Sequence, residues 1–271
     1  MTNENSVSEH YQTTGLLDTI QDTLAEMGIR ADAITTETLA PVDEFHIGGR
    51  ESTQMLANHL GVTANQKVLD IGCGLGGPAR CIAEQSQCFV DGIDLTSTYV
   101  RDGNQLSKWV GLRERVTLIQ GTALDLPFAE TSYDAAYMIH VGMNISAKID
   151  LMQQVYRVLK DGGRFVIFDI MMLQDVDIEY PLPWADGKDS SAITALTDYQ
   201  HALQKAGFTV LQTESMREFA VAFFQKRAQN QSPSPLGLQM LLGESFSTRI
   251  SNLARQIMTG VIAPVLIVSQ K

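Results

Sequence analysis

The sequence predicts an α/β fold: a doubly wound, mostly parallel seven-stranded sheet with helices on both faces. Short apolar runs alternate with helix-like stretches, and the first run stops at a G-x-G-x-x-G loop. Hydrophobic residues make up 44% of the 271 and charged residues 19%, enough apolar surface to bury a sizeable core.

Residues 67–71 (KVLDI) read as a strand that stops at glycines, and Pro78 follows where its fixed φ suits a first helical turn. Residues 88–94 (CFVDGID) form the next strand. Thr96 or Ser97 then caps a helix running towards Gly111, which stands where a C-terminal glycine belongs. Residues 116–120 and 135–139 give two more strands, separated by the loop 125–132. Ser146 opens a helix with Leu151, Val155 and Leu159 on one face, closed by Gly162 and Gly163 before a strand over 164–169. Strands over 208–212 and 263–268 complete the sheet. Three segments fall outside the βα rhythm. Residues 1–50 are expected to be a helical cap segment, and residues 51–271 the main domain, with cap insertions near 171–195 and 217–258. All three flank the carboxyl edge of the sheet, where ligands bind in open α/β folds.

A formal charge of −11 argues against a phosphate-tracking surface, so nucleic acid is not an expected partner. Cys73, Cys81 and Cys88 are spaced for neither zinc nor a disulfide framework; no metal is expected, and a reducing compartment suits them. The first residues, MTNENSVSEH, carry no basic n-region or apolar run, and no stretch approaches the roughly 20 apolar residues of a membrane span. A cytoplasmic protein is expected; a homodimer is compatible with the sequence.

The loop at 72–77 (GCGLGG) serves dinucleotide enzymes and methyltransferases alike. Asp70 decides between them. A pyrophosphate on this loop and the following helix N-terminus would be repelled by a carboxylate two residues before the first glycine. S-adenosylmethionine instead brings an ammonium and a sulfonium, which that carboxylate favours. Asp94, about 20 residues past the loop, is placed to accept from ribose hydroxyls. A nicotinamide-dependent oxidoreductase fits the glycines and Asp94 but not Asp70.

Residues 68–78 (VLDIGCGLGGP), then 92–94 (GID), 121–128 (GTALDLPF) and 132–134 (SYD), resemble the motif series of class I S-adenosylmethionine-dependent methyltransferases, which have a Rossmann-like fold. The resemblance covers about residues 67–169. Residues 45–49 (FHIGG) and 181–184 (PLPW) are similar to the small-molecule branch that includes sarcosine and dimethylglycine N-methyltransferases, while relatives acting on quinones and tocopherols share the plan. The resemblance implies S-adenosylmethionine as cofactor, S-adenosylhomocysteine as product and a small-molecule acceptor, an amine favoured over a phenol or quinol methylated on O or C. It implies that Asp70, Gly72, Cys73, Gly74 and Gly76 hold the methionine moiety, Asp94 and Leu95 the ribose, and Thr122 with Ala123 the adenine. Two departures stand out. Gly121, Thr122 and Ala123 replace the usual Gly-Asp-Ala, so the carboxylate that accepts from the adenine amino group is missing and a threonine hydroxyl would accept only weakly. After the fourth strand, where relatives place an acid or histidine, residues 140–144 read HVGMN, leaving His140 as the conspicuous base. Both departures also suit a cofactor-binding protein without turnover.

Methyl transfer is an in-line displacement at carbon, so positioning and water exclusion carry much of the rate. His140, with an ordinary pKa of about 6.5, is matched to deprotonating an acceptor at neutral pH, or it shapes the cofactor pocket. His46 either closes over the methionine end of the cofactor or belongs to a helix-entry loop. Met143, Asn144 and Trp184 are the expected acceptor-pocket residues, Trp184 as a wall or as an anchor of the cap. The eleven methionines suit an adaptable pocket or plain core filling.

Overall fold

The computed structural model describes residues 15–229 and 234–271, together with Glu4, Val7 and Tyr11. Seven strands are β1 (Lys67–Ile71), β2 (Phe89–Asp94), β3 (Val116–Gln120), β4 (Tyr133–Ile139), β5 (Leu159–Met172), β6 (Thr209–Ser215) and β7 (Ile262–Gln270). They lie in the order β3-β2-β1-β4-β5-β7-β6, with β7 antiparallel to both neighbours and the remaining pairs parallel. The expected Rossmann-like sheet is present, and its strand order reverses between β1 and β4, the place where such sheets open a ligand crevice.

Period-two alternation sorts the strand residues onto two faces. Val68, Tyr137, Val166 and Phe168 join one buried cluster with Leu56, Leu60 and Ile82, contributed by the helices Arg50–Leu60 and Gly77–Ser86. Leu69, Ile71, Met138, Phe165 and Ile167 join the other with Leu151, Val155 and Leu203, from Lys148–Val158 and Leu196–Ala206. The helix expected from Ser146 to close at Gly162 and Gly163 is shorter than that, Lys148–Val158, which corrects the expectation. That helix stops at Val158 and β5 begins at Leu159, because Leu159 pairs with Tyr133 and Arg164 with Ala135, so residues 160–163 bulge out of the ladder. Ser146 lies two residues before the helix, which starts at Lys148.

The segments outside the rhythm build two further cores. Helices Leu16–Glu26 and Thr36–Asp43 bury Leu16, Ile20, Leu24, Leu39 and Val42 against Leu75, Tyr99 and Leu106, behind the glycine loop. Helices Arg217–Gln229 and Phe246–Thr259 bury Ala220, Phe224, Leu253 and Ile257 against Ile47, Met143, Leu182 and Trp184. Among the described residues no helix is long and apolar enough to cross a membrane.

Candidate functional site

From β1 the chain turns through Gly72, whose φ of +70° only glycine adopts without strain and whose Cβ would stand 2.4 Å from Val141 Cγ2. The Gly72 and Cys73 N–H groups both donate to the Ile93 carbonyl, at 2.8 and 3.0 Å, tying the loop to the end of β2. Gly74, φ +52°, donates its N–H to Asp94 Oδ2 at 2.9 Å, and the Thr96 N–H donates to Oδ1 at 2.8 Å. Asp94 is therefore fixed by backbone donors while each oxygen keeps a further lone pair for a ligand. It lines a cavity of about 1230 Å³ including its mouth, which runs across the carboxyl ends of neighbouring strands past Asp70, Asp94, Gly121 and His140.

Asp70 is buried and its Oδ2 has no hydrogen-bond partner. Burial pushes its pKa up to about 8, the nearby Tyr137 hydroxyl lowering it and Asp94 adding to the rise. A buried acceptor of this kind suits an ammonium, so the residues present fit S-adenosylmethionine: a carboxylate for the tail, a backbone-held carboxylate for the ribose, and a glycine loop between them. An acid whose pKa is raised on folding stabilises the fold below its unfolded value near 4 and loses that contribution as pH rises through about 8. An ammonium seated on Asp70 favours the ionised form and expels the proton. Calorimetry at pH 7 in buffers of different ionisation enthalpy is expected to show release of about one proton when S-adenosylhomocysteine binds. The release should fade above pH 8, be lost in Asp70→Asn, and be absent for 5′-methylthioadenosine, which lacks the tail. Proton release by both ligands alike would remove Asp70 from the tail.

His140 follows β4 with φ +52°, its N–H donating to the Phe168 carbonyl at 2.8 Å and its ring stacked on Phe168 at 5.3 Å. The loop carrying it is pinned from below. Lys148 Nζ donates to the carbonyls of Gly142, Ile145 and Ala192 at 2.9–3.1 Å, and any side chain on Gly142 would strike Asp169 and the Tyr199 hydroxyl, themselves joined at 2.7 Å. His140 Nε2 is buried without a partner. Burial, then neighbouring His46, hold its pKa well below the ordinary 6.5, which corrects the expectation of a histidine titrating near neutrality: it is neutral at pH 7. His46 is neutral too, lowered by burial to about 4 although its bond to the Gly49 carbonyl opposes the shift. That carbonyl can only accept, so Nε2 carries the His46 proton. The two rings meet edge to face at 6.1 Å.

His46, His140, Tyr11 and Phe45 form the border between the first cavity and a second of about 600 Å³. The second is lined by Met143, Trp184, Phe223, Phe224, Ile250 and Leu253, among others, and Arg227 is the one charged side chain on it among the described residues.

Of the residues expected from sequence, His46, Asp70, Gly72, Cys73, Gly74, Asp94, Leu95, Ala123 and His140 all line the first cavity. Gly76 does not; it is the N-cap of the helix Gly77–Ser86, behind the loop. Thr122, expected with Ala123 at the adenine, is not among the residues lining the first cavity; its hydroxyl donates to the Glu4 carboxylate and accepts from the Leu124 N–H at 3.0 Å. Met143 and Trp184 line the second cavity, and Trp184 is also an anchor through its Nε1 bond to Ser191 Oγ at 3.0 Å. Asn144 lies instead on the first cavity, hydrogen-bonded to Tyr11. Sequence reasoning missed Glu4, Val7, Tyr11 and Phe45, all on the first cavity, and Phe223 and Phe224 on the second. Only the three-then-four spacing of Glu4, Val7 and Tyr11 hinted at a helix face.

Residues 69–167 match the family described as Methyltransferase domain. Over these residues the fold, the glycine loop and the two carboxylates are those of a class I S-adenosylmethionine-dependent methyltransferase domain. It is 30% identical over 201 residues to the sterol 24-C-methyltransferase of Eremothecium gossypii, covering 71% of this chain and 50% of that protein. The chain thus spans half the length of that curated relative. Among solved structures, a putative sarcosine dimethylglycine methyltransferase from Galdieria sulphuraria superposes with a TM-score of 0.67 at 21% identity, over 82% of this chain and 84% of the other. Geranyl diphosphate C-methyltransferase from Streptomyces coelicolor, in complex with S-adenosyl-L-homocysteine, gives 0.66 at 19%, over 81% and 78%.

Proposed function

We propose that this chain methylates an apolar small molecule at carbon or oxygen, with S-adenosylmethionine as donor. The lining of the second cavity carries this reading. Trp184, Phe223, Phe224, Ile250 and Leu253 reward burial of an apolar body, at roughly 25 cal/mol per Å². The sequence favoured an amine such as sarcosine, and the Galdieria neighbour bears that name. A cationic acceptor, however, would meet two neutral histidines and no carboxylate among the described residues of this chamber. The sterol 24-C-methyltransferase relative is named for an apolar skeleton methylated at carbon, which agrees with the lining.

S-adenosylmethionine supplies an electrophilic methyl group on its sulfonium. Asp70 and Asp94, which line the first cavity, would hold its tail and ribose, and the His46–His140 border would then lie next to the transferable methyl group. The apolar walls keep water from that border, and His140 Nε2 stands ready for a proton. Release of S-adenosylhomocysteine should be measured across isoprenoid and sterol alkenes and alcohols, quinols, sarcosine, dimethylglycine and phosphoethanolamine. Turnover is expected with members of the apolar set. Turnover confined to the amines would reject the proposal, and release from none would favour the non-catalytic reading.

A further inference from the structure

We infer that Glu4 is the carboxylate that reads the amino group of the cofactor's adenine, supplied by the N-terminal segment in place of one on the loop after β3. The inference rests on S-adenosylmethionine as the cofactor and is independent of the acceptor. Three neighbouring strands set the order of the cavity: Asp70 stands on β1, Asp94 ends β2, and Gly121 follows β3. Strands lie about 4.8 Å apart, so a ligand with its tail at Asp70 and its ribose at Asp94 places its base at the next step, beside Gly121, Ala123 and Leu124. The walls there suit the faces of a flat ring. The ring's edge still presents an amino donor that needs an acceptor. Thr122 does not provide one: it is not among the residues lining the cavity, and its hydroxyl proton is given to Glu4.

Glu4 does. Its carboxylate accepts from the Thr122 hydroxyl across 118 positions of sequence, and the side chain lines the same cavity. One oxygen is held by that bond; the other is left to accept from the ligand. Val7 and Tyr11 line the cavity as well. Tyr11, from the same segment, meets Asn144 and stands on the border with the second cavity. A charged acceptor opposite an amino donor also discriminates: a 6-oxo base presents an acceptor at the same point and is repelled.

The test compares binding of S-adenosylhomocysteine and S-inosylhomocysteine to the untagged full chain by calorimetry. The wild type should prefer the adenosyl ligand by tenfold or more, the usual worth of a charge-assisted hydrogen bond. Glu4→Gln should cut that preference about tenfold, and adding Thr122→Asp to Glu4→Ala, which returns a carboxylate to the loop, should restore it. A preference unchanged in Glu4→Gln, with adenosyl affinity retained, would overturn the proposal while leaving the cofactor in place. Failure of the wild type to bind S-adenosylhomocysteine at all would overturn both.

Discussion

Replacing Arg80 by Met is expected to cost the fold about 3–5 kcal/mol, the usual penalty for removing one partner of a buried ion pair. Arg80 is fully buried, and its guanidinium donates to Asp43 Oδ2 at 2.6 Å, the Leu75 carbonyl at 2.7 Å, the Gly103 carbonyl at 3.0 Å and Ser107 Oγ at 3.1 Å. One side chain thereby joins the end of the helix Thr36–Asp43, the glycine loop and the helix Ser97–Trp109. Asp43 is itself buried, which raises its pKa, and Arg80 is the largest influence holding it down. Without Arg80 the carboxyl must be buried alone or take up a proton, and the Leu75 carbonyl loses its donor while the Gly103 carbonyl keeps the Ser107 hydroxyl. Asp43→Asn should cost less, since the amide oxygen still accepts and the other three bonds survive. In the double variant Arg80→Met with Asp43→Asn, part of the first loss should return, because the stranded charge is gone. Urea unfolding of the three variants checks this. A loss below about 1 kcal/mol in Arg80→Met would mean that the cluster is solvated rather than buried.

The same cluster shows what a linear reading misses. Lys67–Ile71, the glycine loop, Asp70 and Asp94 were legible because each signal is local: a short apolar run, glycines where φ turns positive, and acids at fixed spacing from them. No local signal marks Arg80, since the Asp43 that meets it comes 37 positions earlier. The bond from the Thr122 hydroxyl to Glu4 was equally out of reach, because it spans 118 positions. The acceptor chamber was hidden for a different reason. Phe219, Phe223 and Phe224 do not share one helix face, so Arg217–Gln229 shows no clean apolar stripe, and only packing against Trp184 and Leu253 sorts its wall-facing side chains. The charge state of His140 was out of reach too, because burial decides it and residue type does not.

The largest effect on turnover is expected at His140. If its Nε2 takes the acceptor's proton, His140→Asn should lower kcat by about 100-fold or more while leaving S-adenosylhomocysteine affinity nearly unchanged. Asparagine is the informative substitution because the position has φ +52°, a left-handed conformation that Asn tolerates and most side chains do not. The backbone bond to Phe168 should therefore survive, and the variant loses the base without losing the turn. Balance requires the base only for some acceptors. When a hydroxyl or alkene carbon bonds to the methyl group, the C–S electron pair leaves with sulfur, and the acceptor must shed a proton. The neutral imidazole of His140, on the border and with Nε2 unpartnered, can take it when the ring's own proton sits on Nδ1. Because burial holds the pKa of His140 well below 6.5, the free base persists into mild acid, so wild-type kcat should show no inflection near 6.5. An inflection at that pH, absent from His140→Asn, would mean that acceptor binding raises the imidazole pKa back towards its ordinary value. Loss of cofactor affinity in proportion to loss of rate would instead make His140 a wall of the cofactor pocket, with positioning alone driving the transfer.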